Sequence, residues 1–355
     1  MVFSILSNSE KFISQKPRID LTTNRFQSVR DNTKNEIDSI LIKNNYNYTR
    51  SDFNILNNRK PLIIHCCHHK TGTVVVEKIL RAVCNKLGLK YQYCNQSQLD
   101  PNTDVWLEHH SKIDFNLIDR PIVGTHMIRN PYALIVSAYE YHKTTIEPWA
   151  NRKIKKFNGV TYREILNRLS PEEGIIFEIR NDLYLESSKN TIMDIYNWDY
   201  LRPNFLELKF EDLMTNYDGT LANMFKHYGF SREMIEEALN IAKPYNLRNK
   251  NEDELKRNKH VTNKSLDLDK WRDYYNEEVI KKFSRTYPSD LFTKIGYIDC
   301  FPMNENIQNV NETDETEKLA SIIGKDVKIT GNIIENDEKD KLWTLYNGGN
   351  PFMLD

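Results

Sequence analysis

The chain is poor in several things, and each shortage excludes something. Five cysteines in 355 residues, an odd number without paired spacing, exclude a disulfide-stapled scaffold and fit a reducing compartment. No apolar run reaches the length of a membrane-spanning helix. Met1-Val2-Phe3-Ser4-Ile5-Leu6 is too short for the core of a signal peptide and has no basic flank. Charge of either sign is not in excess: 49 Lys+Arg against 50 Asp+Glu leave −1, which argues against a general nucleic-acid binder. A cytoplasmic protein with no membrane or nucleic-acid partner is expected. Its length allows one large α/β domain or two small ones.

What is present is concentrated at one short segment, His68-His69-Lys70-Thr71-Gly72-Thr73. It follows the apolar run Leu62-Ile63-Ile64. It precedes a helical pattern in which Val76, Ile79, Leu80, Val83 and Leu87 share a face. Strand, polar loop and amphipathic helix together make an anion site, because loop N–H groups and the helix N-terminus point at the ligand. Lys70 adds a full charge, Thr71 and Thr73 add hydroxyls, and Gly72 permits close approach of the backbone. A terminal phosphate or sulfate is expected here. The Walker order places glycine directly before lysine; in this chain Gly72 follows Lys70, and no glycine precedes it in the loop.

A second motif lies at 122–139. Ile122 to Ile128 reads as a buried strand that ends in Arg129-Asn130-Pro131 and runs into Tyr132–Tyr139. Asn130 is a good N-cap and Pro131 a good first helical residue. Arg129 offers a planar fork suited to two phosphate oxygens, and Ser137 lies in the following helix.

These residues resemble the PAPS-dependent sulfotransferases, which use 3′-phosphoadenosine 5′-phosphosulfate (PAPS) and release adenosine 3′,5′-bisphosphate (PAP). Lys-Thr-Gly-Thr is similar to that family's 5′-phosphosulfate loop, and the pair Arg129 and Ser137 to its 3′-phosphate motif. Phe210-Glu211-Asp212-Leu213 resembles the family's strand ending. Lys264-Ser265 precedes Trp271 where the family has a basic loop, normally Arg-Lys-Gly, of which only Lys264 keeps a charge. The resemblance spans roughly 60 to 297. It implies a P-loop-like α/β fold, three-layered, with a central parallel sheet flanked by helices. It also implies that His69, Lys70, Thr71, Gly72, Thr73 and Val74 hold the 5′ end. Arg129, Ser137, Lys264 and Ser265 would hold the 3′-phosphate. Phe210 is read equally as an adenine stack or as core packing.

Sulfuryl transfer requires charge on the leaving oxygen to be neutralised, a task for Lys70. It also requires a base for the acceptor's proton. The family places a histidine shortly before the 3′-phosphate Arg, which corresponds to Trp106-Leu107-Glu108-His109-His110-Ser111. Strand alternation would let only one of His109 and His110 face the site; His110 is preferred, then His109, with Glu108 third. The transferred group carries less charge than a phosphoryl group, so no metal is required. His65, Cys66, Cys67, His68 and His69 are adjacent in the chain and cannot converge on one ion. His142 is read first as a helix-surface residue and second as a neighbour of the acceptor.

The expected organisation is an N-terminal extension over 1–60, a sulfotransferase domain over 61–298 and a C-terminal linker and tail over 299–355. Further strands are expected at 91–94 and 105–107, a helical cap over 144–200, helices at 215–228 and 233–242, and a charged loop over 246–270. The acceptor is expected to be a polar small molecule bearing a hydroxyl or an amine. Two other readings stand beside this one. A nucleotide-dependent kinase or phosphotransferase is opposed by the missing Walker glycine. A non-catalytic PAPS- or anion-binding module is given room by the depleted Arg-Lys-Gly loop.

Overall fold

In the computed structural model, residues 60–154, 157, 159–180, 190–257 and 266–301 are described. The expected N-terminal extension, Lys264, Ser265 and nearly all of the C-terminal tail lie outside the described residues. Strand β1 (Leu62–Cys67) is buried throughout, and its alternate residues feed two cores. Ile63 and Cys67 join one cluster, and Leu62, Ile64 and Cys66 join another. This is the period of two that a strand imposes. Helix α1 (Thr73–Leu87) buries Val76, Ile79, Leu80, Val83 and Cys84 against the first of these cores, close to the face read from the sequence. It ends at Gly88, which adopts the left-handed conformation that lets the chain turn away.

β2 (Tyr91–Tyr93), β3 (Val105–Glu108) and β4 (Ile122–Ile128) follow. Helix α2 (Pro131–His142) then begins as expected: the Asn130 side chain accepts hydrogen bonds from the N–H groups of Tyr132 and Ala133, and Pro131 opens the helix. The predicted cap is helical. It contains α3 (Pro148–Asn151), a small antiparallel pair β5 (Lys153–Ile154) and β6 (Val160–Thr161), α4 (Tyr162–Arg168), α5 (Pro171–Ile179) and α6 (Thr191–Asn197). Reciprocal capping boxes, Thr161 with Glu164 and Ser170 with Glu173, start α4 and α5. β7 (Phe205–Lys209), α7 (Phe210–Thr215), α8 (Tyr217–His227) and α9 (Arg232–Ala242) come next.

The stretch expected to be a loop after residue 246 contains a short helix, α10 (Glu252–Arg257). Asn251 and Glu254 cap each other's N–H groups, and Leu255 is buried, which is enough to fix one turn in a charged sequence. The last helices are α11 (Glu277–Thr286) and α12 (Leu291–Lys294).

The five-stranded sheet has the order β2-β3-β1-β4-β7, and every pairing is parallel. Helices α1, α8 and α9 cover one face. Trp106, Trp198 and the segment around Ile113 to Ile118 fill the other. Helix α2, the cap helices, α11 and α12 share a third core. The chain leaves β1 toward β2 on one side and leaves β4 toward β7 on the other. The crevice at the carboxyl ends of β1 and β4 is therefore a topological switch point, where α/β sheets bind ligands. The register aligns Cys67 with Met127, so the loop after β1 and Arg129 after β4 emerge side by side.

Candidate functional site

The loop holds its own shape. The Thr71 hydroxyl accepts from the His68 N–H at 2.9 Å and donates to the His68 carbonyl at 2.8 Å. The Thr73 hydroxyl donates to the same carbonyl at 3.1 Å and lies 3.2 Å from the Cys67 thiol. Both hydroxyls expected to face a ligand thus brace the loop. Lys70 stands in the left-handed region at φ 64, a position that costs a side-chain-bearing residue about 1–2 kcal/mol. Gly72, at φ 99, is the N-cap of α1, with no side-chain cap and no acidic residue in the first turn. Val75 donates its N–H to the Gly72 carbonyl at 3.0 Å, the N–H groups of Thr73 and Val74 precede the first intrahelical acceptor, and the first turn carries no acidic residue. That is the condition an incoming anion needs.

Arg129 meets this loop directly. Its Nη1 donates to the Lys70 carbonyl at 3.1 Å, while its buried Nε has no hydrogen-bond partner. An orphaned guanidinium N–H is costly unless something accepts from it. The guanidinium also lies 4.6 Å from the centre of the Phe210 ring, and that ring lies against Gly72, 2.8 Å from where a Cβ would stand. Phe210 therefore supports the loop and Arg129, and it packs with Val75, Leu247, Leu255, Leu266 and Leu268. Leu255 and Leu266 flank the segment that holds Lys264 and Ser265. Glu211 accepts from the Asn130 N–H and from the Tyr297 hydroxyl, fixing the turn beside Arg129.

The ammonium of Lys70 sits 4.0 Å from the centre of the Tyr141 ring. Burial, reinforced by the charge of Arg129 and opposed by Glu147, pulls its pKa down to about 7. An anion in the crevice would restore the charge. Burial also lowers the pKa of Arg129, against the opposing pull of Glu211 and Tyr297. Ser137 is buried in α2, one turn before Tyr141, and so lies on the helix face that meets the loop.

The alternation argument for His109 and His110 does not hold. β3 ends at Glu108, whose Oε2 accepts the N–H groups of His110 and Lys112 and so starts a turn. Ser111, at φ 55, completes it. The two rings are tilted at 50° with centres 3.9 Å apart, and His109 meets Tyr93 edge-on. The turn is tied to the loop after β1, because the Ser111 hydroxyl donates to the Cys67 carbonyl at 3.0 Å.

Two imidazole chains run from the loop. His68 Nε2 lies 2.7 Å from His126 Nε2, and His126 Nδ1 lies 2.7 Å from Glu207 Oε2. His126 stacks on Trp198, and Trp198 donates to Glu207 Oε1. Burial drives the pKa of His126 to about 3 and that of His68 well below its ordinary value, so both are neutral. On the other side, His69 Nε2 lies 3.0 Å from His142 Nε2, and His142 Nδ1 lies 2.7 Å from Glu178 Oε1. His142 is buried, at 4 % exposure, rather than on the helix surface as expected. Sequence reasoning passed over Tyr141, Glu147 and Glu178, since no local pattern marks them.

No family model and no curated protein matches the chain. Among solved structures, it is similar to mouse sulfotransferase SULT7A1 complexed with PAP. That match has 12% identity and a TM-score of 0.36, covering 69% of this chain and 87% of the other. It is also similar to retinol dehydratase in complex with androsterone and the inactive cofactor PAP, at 15% identity and a TM-score of 0.40, covering 66% of this chain and 83% of the other.

Proposed function

We propose that this chain is a PAPS-dependent sulfotransferase that transfers a sulfuryl group in line to a hydroxyl or amine of a polar small molecule. One observation carries the reading. Lys70 and Arg129 stand beside a glycine-capped helix N-terminus whose first turn carries no acid, and the buried Arg129 Nε lacks an acceptor. Such a site suits a ligand with two separate anionic groups. The loop from His69 to Val74 holds the 5′-phosphosulfate. Arg129 and Ser137 take the 3′-phosphate, and Lys264 and Ser265 are assigned to it by motif resemblance alone. Phe210 lines the slot between the two ends. Lys70 neutralises the oxygen that leaves with the 5′-phosphate. Anchoring the remote phosphate fixes the reacting sulfur, and such positioning can supply up to about 7–11 kcal/mol.

A histidine at the rim of the loop accepts the acceptor's proton. His110 and His109 stand on the turn tied to Cys67, and His69 stands in the loop itself. Five free cysteines, two of them buried side by side in β1, favour the cytoplasm. Among the described residues no helix is long and apolar enough to cross a membrane.

The test is thermal stabilisation by PAP beside ATP with magnesium, followed by PAPS turnover against a panel of small alcohols, phenols and amines. Stabilisation by PAP together with acceptor-dependent PAP release is expected. A response to ATP with magnesium alone would replace the reading with phosphotransfer. PAP binding without turnover of any acceptor would reduce it to a binding module.

A further inference from the structure

His69 is joined to two residues outside every motif. Its ring lies nearly coplanar with that of His142, edge to edge, with centres 5.1 Å apart and planes at 19°. Their Nε2 atoms are 3.0 Å apart, and His142 Nδ1 is 2.7 Å from Glu178 Oε1. Glu178 comes from α5, is 1 % exposed, and has an Oε2 with no hydrogen-bond partner. Three elements, the loop, α2 and α5, therefore bring imidazole, imidazole and carboxylate into one line. The line ends at the Tyr141 ring, which His69 and the Lys70 ammonium both contact.

The carboxylate orders the protons. An ionised Glu178 only accepts, so His142 carries its hydrogen on Nδ1 and donates it. His142 Nε2 then holds a lone pair, and His69 must donate from Nε2. That leaves the basic lone pair of His69 on Nδ1. A base oriented by a second group, itself oriented by a carboxylate, is the arrangement that serves nucleophile activation in other folds.

We propose that His69 is the base for sulfuryl transfer, and that His142 and Glu178 are positioning residues that hold it in the Nε2–H tautomer. This inference rests on the sulfotransferase reading. In the step, the acceptor oxygen bonds to sulfur as the bond from sulfur to the 5′-phosphate oxygen breaks. The hydroxyl proton moves to His69 Nδ1. The electron pair of the broken bond stays on the phosphate oxygen beside Lys70, and no atom changes oxidation state. The charge that arrives on His69 is balanced by the buried Glu178 through His142. The other titratable or polar groups around this line are Lys70, Tyr141, Tyr162 and Trp149, with Glu147 hydrogen-bonded to Tyr141 and Trp149.

The deciding experiment uses the full chain as wild type, Glu178→Gln, Glu178→Asp and His142→Asn. Imidazole-¹⁵N NMR reads the tautomer of His69, calorimetry reads PAP affinity, and PAPS turnover with an acceptor from the panel reads kcat. Glu178→Gln keeps the shape but removes the charge, and its amide can present either Oε1 or Nε2 to His142, so neither tautomer is held any longer. Its kcat is expected to fall at least about 100-fold while PAP affinity stays within about threefold. The NMR signal of His69 gains an Nδ1–H population, and Glu178→Asp recovers part of the rate. An unchanged His69 tautomer, or an unchanged kcat, in both Glu178→Gln and His142→Asn overturns the inference and returns the role of base to the 108–111 turn. Failure of the wild type to bind PAP is a separate result, visible before any variant is made, and it overturns the sulfotransferase reading and this inference together.

Discussion

Adjacent loop residues head two chains of the same composition, and the chains do different work. His68 leads through His126 to Glu207, and His69 leads through His142 to Glu178. On the sheet side both imidazoles are buried and held neutral, and both Glu207 oxygens have donors, His126 and Trp198. That chain is a strut between the loop after β1, β4 and β7. On the α2 side the terminal imidazole is only partly buried, and the carboxylate keeps an oxygen without a donor. Residue type does not separate a strut from a proton-handling line; solvation and hydrogen-bond completeness do.

The strongest way to break this comparison is to make the same substitution in both chains. Glu178→Gln is expected to cost at least about 100-fold in kcat with a small change in Tm. Glu207→Gln should do the reverse, costing about 1–3 kcal/mol in denaturant melts and little in the kcat of the folded enzyme. Equal effects in the two variants would dissolve the distinction. His110→Asn sharpens it further. With His69 as base, the rate should fall less than about tenfold in steady-state assays.

A smaller effect is expected at the loop that heads both chains. Gly72→Ala sets a Cβ against Phe210 at a positive φ, a strain of about 1–2 kcal/mol. Calorimetry should show PAP binding weakened about tenfold, with His68 and His69 both displaced. The smallest effect is pH dependence. Lys70 has its pKa lowered to about 7 in the folded protein, against an ordinary 10.5 in the unfolded chain. Between these values the unfolded state binds more protons, so this group makes the free protein more stable as pH rises through the window. PAP affinity should move the opposite way, falling about threefold between pH 7 and 9 as the ammonium discharges. Both trends should vanish in Lys70→Met, measured by denaturant melts and calorimetry.

The parallel sheet and the two anion-binding turns were legible because they depend on local pattern. β1 is an apolar run, Asn130-Pro131 is a capping signal, and the α1 face repeats at helical spacing. The chain through His142 was not legible. α2 is buried on nearly every side, so its sequence carries no stripe to say which way His142 faces. Its partners come from 73 residues before and 36 after, a separation that no local pattern reports. The expectation that His109 and His110 alternate failed for a local reason: Glu108 ends β3 by capping the next turn with its own side chain. The direction of the Thr71 and Thr73 hydroxyls has no local signal, and the fold turns both inward onto the His68 carbonyl.

The role of Arg129 as the 3′-phosphate anchor is tested by calorimetric binding of PAP and of AMP, which lacks the 3′-phosphate, to wild type and Arg129→Ala. Wild type should prefer PAP by at least about tenfold, and Arg129→Ala should lose this preference while still binding AMP. Equal affinity of the wild type for the two nucleotides, or a preference that survives in Arg129→Ala, would contradict that role.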